Sequence, residues 1–101
     1  MSICVEFNVD RVRAPEFVNV MREVRLIHLR NGAYRWQLHE DLTCPNTYRL
    51  EITVPSWNEH LMQLERMTKS DKDLLERAWG FHMGETLPGE RIYLSMNKEF
   101  H

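Results

Sequence analysis

The sequence predicts one α+β domain whose strands and helices run in the order β-α-β-β-α-β. Four stretches alternate apolar and polar residues, two regions repeat apolar residues at helical spacing, and capping or breaking residues stand at the joints. A chain of 101 residues has room for one core, so a single domain over 1–101 is expected. A chain of that size buries roughly two thirds of its unfolded surface.

The first strand is read from Ser2 to Val9, with Ile3, Val5, Phe7 and Val9 on one face and Cys4, Glu6 and Asn8 on the other. Pro15 and Glu16 then open a helix, because proline needs no N–H in a first turn. Phe17, Val20, Met21, Val24, Ile27 and His28 recur at helical spacing, and Asn31-Gly32 supplies the stop. The second strand sets Tyr34, Trp36 and Leu38 against Arg35, Gln37 and His39. Thr43-Cys44-Pro45-Asn46 reads as a turn, and the third strand places Tyr48, Leu50, Ile52 and Val54 inward.

Ser56-Trp57-Asn58-Glu59 has the spacing of a capping box, in which Ser56 caps the new helix and Glu59 reaches back. Trp57, His60, Leu61, Leu64 and Met67 line one face of that helix. A second cap, Ser70 with Asp73, is expected to restart it, carrying Leu74, Leu75, Ala78, Trp79 and His82 until Gly84 and Pro88-Gly89. The last strand is expected to turn Ile92, Leu94 and Met96 inward and Arg91, Tyr93 and Ser95 outward.

Four one-sided strands imply one sheet covered by helices on a single face. With right-handed crossovers this is the ferredoxin-like arrangement, its second helix split in two. The uncovered face then holds Glu6, Arg35, Gln37, His39, Arg49, Glu51, Thr53, Arg91 and Tyr93, without a lysine. Such a face is either wet or an interface between two sheets, and pattern alone leaves both open.

Composition narrows the function classes. Hydrophobic residues make up 43% and charged residues 28%, which excludes a disordered chain. The net charge of −2 is spread without blocks, so no basic stripe suggests nucleic acid. Apolar runs fall well short of the roughly 20 residues that cross a bilayer. No signal peptide is read at the start, where Glu6 and Asp10 interrupt any apolar stretch. Cys4 and Cys44 read as free thiols of a cytoplasmic protein, and no Cys/His cluster suggests a metal. No nucleophile elbow or phosphate-cradling glycine loop is present, and no cofactor is expected. Glu99-Phe100-His101 resembles a cloning remnant and carries no weight.

The candidate site lies where helix and sheet carry aromatic residues. His60 sits on the apolar stripe three residues after Trp57 and four before Leu64, as either a hydrogen-bonded core residue or a pocket residue. Trp36, Trp57 and Trp79 are most simply core, yet three indoles in a small domain also suffice to wall an apolar cavity. His28 and His82 fall nearer helix ends, where a cationic imidazole suits the helix dipole.

Two stretches go beyond pattern. Arg30-Asn31-Gly32-Ala33-Tyr34-Arg35-Trp36, and Ser56-Trp57-Asn58-Glu59-His60-Leu61 continuing through Gln63, Glu65-Arg66 and Thr68, resemble a bacterial family. It is the soluble region at the C-terminal end of major-facilitator-type permeases called transmembrane secretion effectors, or enterobactin-exporter-like transporters. That region is similar to the antibiotic-biosynthesis-monooxygenase superfamily of dimeric α+β barrels. The resemblance runs from about Val5 to Ala78, and its Trp-x-x-His segment is the most specific part.

The resemblance implies a homodimer through sheet faces, with a pocket between each sheet and its own helices. Tyr34, Trp36, Trp57, His60, Leu64 and Trp79 are the expected pocket residues, with His60 as the catalytic candidate. Leu64 stands where the permease-linked pattern has a second histidine, so no two-histidine site is carried over. The permease's membrane helices are absent from the sequence, and transport is not expected of it.

Three functions follow. The favoured one is a non-catalytic module that binds a small apolar or aromatic ligand, or a partner. The second is a cofactor-independent oxygenase acting on an anthrone- or quinol-like aromatic, with His60 as base or donor. The third is haem binding or degradation, with His60, His28 or His82 as axial ligand.

Overall fold

The alternating stretch at the start of the chain forms β1 (Ser2–Asn8), and Pro15 sits in the first turn of α1 (Ala14–Arg30). A computed structural model describes residues 1–84, 86–94 and 96. The remaining elements are β2 (Arg35–Glu40), β3 (Thr47–Thr53), α2 (Trp57–Arg66), α3 (Lys69–Trp79) and β4 (Gly89–Tyr93). Among the described residues the strands form one antiparallel sheet in the order β2-β3-β1-β4. That is the ferredoxin-like topology, with the second helix split into α2 and α3.

The core is built where α1 crosses the central strands. Phe7, Phe17, Met21, Val24 and Leu50 are fully buried. Phe17 touches Phe7, Tyr48 and Phe81 at ring-centroid distances of 5.3, 5.4 and 5.7 Å. Leu74, Leu75 and Trp79 of α3 pack against this cluster, while no residue of α2 joins it. Only Gln63 of α2 is buried, and Trp57, Leu61, Met62 and Leu64 are each more than a third exposed. Gln63 is where α2 meets the rest of the molecule. It lies over Gly32, which has φ +103°, and a Cβ there would fall 2.7 Å from its side-chain nitrogen. Glycine therefore serves twice, allowing the left-handed exit from α1 and the close approach of α2.

Several expected details shift. Ser56 accepts the Glu59 N–H at 3.1 Å, but Glu59 does not reach back, so half the box forms. The full box belongs to Thr68 and Asp71, two residues before the expected Ser70 and Asp73. Thr68 accepts the Asp71 N–H at 3.1 Å and its own N–H donates to the Asp71 carboxylate at 3.2 Å. Asp71 also accepts from Arg30 at the end of α1, which holds its carboxyl below the ordinary value. The same carboxylate thus starts α3 and ties it to α1, a long-range role that local spacing does not reveal.

Helix α3 ends at Gly80 rather than Gly84, leaving His82 in the turn beyond, where its Nδ1 accepts the Asn8 N–H at 2.9 Å. Tyr34 precedes β2 on an outer strand and is 72% exposed rather than inward. Every residue of β4 is exposed. Ile92 pairs with Ile3 on the helix-facing side but, like Leu94 and Met96, stays solvent-accessible, because β4 is an outer strand that α2 does not cover. Ser95 and Glu99-Phe100-His101 lie outside the described residues.

The register arranges charges on the uncovered face. Cys4 lies between Glu51 and Arg91, and Glu6 lies between Arg49 and the outer strand's Gly89. His39 pairs with Arg49 from the other side.

The cap assignment separates two conservative variants. Thr68→Ala should lower unfolding free energy by about 1 kcal/mol, the ordinary cost of losing an N-cap. Ser70→Ala should change it by less than about 0.5 kcal/mol. Urea unfolding followed by circular dichroism compares the two.

Candidate functional site

Because α2 does not settle onto the sheet, a cavity of about 400 Å³ remains between them. Its floor is Ile3, Val5 and Ile52 of the central strands. Trp57, His60 and Leu64 of α2 form one wall, and Leu75 and Trp79 of α3 form another. The Trp57 and His60 rings lean together at 5.4 Å between centroids. Trp79 lies edge-on to Phe7 at 5.1 Å, so it belongs to the core and to the cavity wall at once. His28 closes the α1 side, and Glu76 and Glu90 stand at the exposed rim.

Four of the expected pocket residues, Trp57, His60, Leu64 and Trp79, are brought together here. Tyr34 is not among them. Trp36 is also excluded: it lines a separate shallow groove with Leu38, Met21 and Tyr48. The reason is lateral position in the sheet, since β2 is the outer strand furthest from β4 and the rim. Trp36 still reaches the site indirectly, because its indole N–H donates to Nδ1 of His28 at 3.0 Å.

Glu90 is a residue that sequence reasoning passed over, and His28 is one it named as a possible haem ligand but left out of the pocket. His28 shares the buried stripe of α1 with Val24 and Ile27, a signal that outweighs its place near the helix end. Glu90 has the strand parity of Ile92 and pairs with Val5, which puts it on the helix-facing side. The expected cationic role of His28 is overturned. Burial, and then the proximity of His60, push its pKa from 6.5 down to about 4. A base that accepts from Trp36 at Nδ1 is neutral at physiological pH. Burial also lowers His60, against the opposing pull of the Glu90 carboxylate.

The cavity therefore joins apolar walls to two neutral imidazoles, with carboxylates at the mouth. No arginine or lysine lines it among the described residues. Nor do the described residues bring together three or more His, Cys, Asp or Glu side chains suited to a metal ion. A larger, more polar hollow of about 560 Å³ lies on the other side of β1, where Cys4, Glu6, Arg49 and Arg91 meet His82. Burial pushes the Cys4 thiol up, which keeps it protonated and a poor nucleophile.

A four-stranded antiparallel sheet, helices on one face and a cavity beneath them define the ferredoxin-like α+β class seen in antibiotic-biosynthesis-monooxygenase-like proteins. The chain belongs to the transmembrane secretion effector family, whose profile matches residues 1–100. No curated protein matches it significantly. The fold is similar to that of a variant of SnoaB, a cofactor-independent oxygenase from Streptomyces nogalater. There the TM-score is 0.77 at 14% identity, over 94% of this chain and 91% of that one. A conserved protein from Methanosarcina mazei gives 0.76 at 12% identity, over 91% and 88%. An uncharacterized NIPSNAP domain protein from Burkholderia xenovorans gives 0.63 at 13%, over 95% and 97%. At these identities the likeness shows the fold. No helix among the described residues is long and apolar enough to cross a membrane.

The neutral His28 has a pH signature. Its folded pKa lies below the unfolded value, so the unfolded chain takes up the proton first as pH falls. Stability should be level above pH 6.5 and decline between 6.5 and about 4, by about 3 kcal/mol from this residue. His28→Gln should flatten most of that slope, as measured by urea unfolding at a series of pH values.

Proposed function

We propose that this domain is a non-catalytic module that binds one small apolar or aromatic molecule between its sheet and α2. The observation that carries this reading is the cavity itself. Two indoles and a floor of aliphatic side chains face a space of about 400 Å³, with only a few polar groups converging on it. That is the usual construction of a small-molecule site. Homodimerisation through the uncovered sheet faces belongs to the same proposal. That face interleaves Arg35, Arg49 and Arg91 with Glu6 and Glu51 and, among the described residues, carries no lysine, a composition that tolerates pairing against a second copy. A cytoplasmic setting fits the two free thiols, Cys4 and Cys44.

Cofactor-independent oxygenation is the second reading, favoured by the half-buried, neutral His60 beside the cavity. His60 would take a proton from an acidic aromatic, leaving an anion able to pass an electron to dioxygen. SnoaB has this fold and is a cofactor-independent oxygenase. The rim argues for ranking this reading second. An anion formed in the cavity would meet Glu76 and Glu90 and, among the described residues, no lining cation.

Titration with the neutral fluorophore N-phenylnaphthylamine tests the binding reading, through energy transfer from Trp57 and Trp79. Saturable binding at micromolar concentration is expected. Leu64→Trp fills the cavity from a partly exposed position, and should weaken binding about tenfold or more with an unchanged circular dichroism spectrum. Non-saturable or absent binding overturns the reading. Oxygen uptake on a quinol panel that His60→Ala abolishes would promote the second reading instead.

Sedimentation velocity tests the dimer. A species of two chains is expected at micromolar concentration, and a strict monomer removes the barrel.

A further inference from the structure

We propose that His28 selects the ligand of this cavity. Its tautomer, set from outside by Trp36, presents an Nε2–H donor to neutral molecules that carry a hydrogen-bond acceptor such as a carbonyl oxygen. This rests on the ligand-binding reading above and adds which chemistry the site takes.

The first support is the hydrogen bond behind the ring. An indole nitrogen donates and cannot accept, so Trp36 Nε1–H at 3.0 Å from His28 Nδ1 requires that Nδ1 carry no proton. In a neutral imidazole the proton is then on Nε2. Burial, and then the nearby His60, also hold the ring neutral, which leaves a single proton to place.

The second support is where Nε2 lies. Trp36 lines one groove and His28 lines the other cavity, so the ring separates the two. Among the described residues, no hydrogen bond engages His28 Nε2, yet no buried side-chain nitrogen or oxygen is left without a partner. Nε2 is thus without a partner among the described residues, and the space that His28 lines on that side is the cavity. A donor opening on an apolar space favours a ligand that supplies an acceptor, because one that does not leaves the donor dry and unpaired.

The third support is charge. Glu76 and Glu90 stand at the mouth, and no arginine or lysine lines the walls among the described residues. A carboxylate or phosphate would satisfy the donor but meet two like charges on the way in. A neutral acceptor satisfies the donor without that repulsion. Trp36 touches no ligand in this arrangement. It is a positioning residue, acting by holding the donor on the cavity side.

The test compares three ligands of one shape, each displacing N-phenylnaphthylamine. They are methyl naphthyl ketone, the isosteric isopropenylnaphthalene, and naphthoate. The ketone should bind about tenfold more tightly than the hydrocarbon, and more tightly than naphthoate. Trp36→Phe should reduce the ketone's advantage and leave hydrocarbon affinity unchanged, a pattern that a general loss of structure would not give. His28→Phe should bind ketone and hydrocarbon alike.

Nitrogen-proton correlation spectra of the imidazoles supply a readout that needs no variant. They should show the Nε2–H form of His28 in the native chain, and a mixture of tautomers in Trp36→Phe. Equal binding of ketone and hydrocarbon to the native protein overturns the donor role while the cavity reading stands. An Nδ1–H tautomer, or naphthoate as the tightest ligand, also overturns the proposal. If none of the three binds, the cavity reading falls and the proposal with it.

Discussion

Helix α1 lays Phe17, Val20, Met21 and Val24 across the inner face of β1 and β3, and everything else is placed by that contact. The aromatic cluster of Phe7, Phe17, Tyr48 and Phe81 fills the space beneath the helix, and α3 closes it from the side through Trp79 and Ala78. Burying large apolar side chains is the dominant favourable term in a domain this small. With α1 and α3 over the centre of the sheet, the apolar side chains toward β4 are left to α2, which does not close over them.

That incomplete cover is what opens the cavity. Helix α2 carries Glu59, Glu65 and Arg66 among its apolar residues and buries only Gln63, so it is held at its contact with Gly32 rather than along its length. The gap beneath it meets the inner residues of β1 and β3 on one side and the indole of Trp57 on the other. Polar groups reach the gap from four elements: His28 from α1, His60 from α2, Glu76 from α3 and Glu90 from β4. The site is thus a by-product of incomplete helix packing, lined by residues that a complete core would have excluded or neutralised.

The Trp36–His28 hydrogen bond links this cavity to a strand that does not border it. A buried imidazole without a partner would be costly, and the indole donor satisfies one nitrogen at the back of the ring. The other nitrogen is left to the cavity. A side chain on the outer strand can in this way govern the chemistry of a pocket whose contents it never touches. The ring's low basicity has a separate cause, its burial and then the nearby His60.

The architecture was legible because it rests on local periodicity. Alternation along Ser2–Val9 and Thr47–Val54, helical spacing from Phe17 to His28, and the glycine stop at Gly32 each depend on a few neighbouring residues. The motif Trp57-x-x-His60 likewise marked the helix that forms the cavity wall. Other features depend on residues distant in the chain. Thr68 rather than Ser70 caps α3, and the Asp71 that completes its box also answers Arg30, a pairing that exists only when α1 and α3 meet. Tyr34 and Trp36 share strand parity with buried residues, yet strand order puts β2 at the far edge of the sheet and out of the pocket. His28 and Glu90 enter it for the complementary reason, since packing and register bring them to one space. By itself, then, the sequence determined the ferredoxin-like order of elements and the helix that walls the site. Only the tertiary structure decided which side chains face the cavity and in which protonation state, because both are set by neighbours distant along the chain.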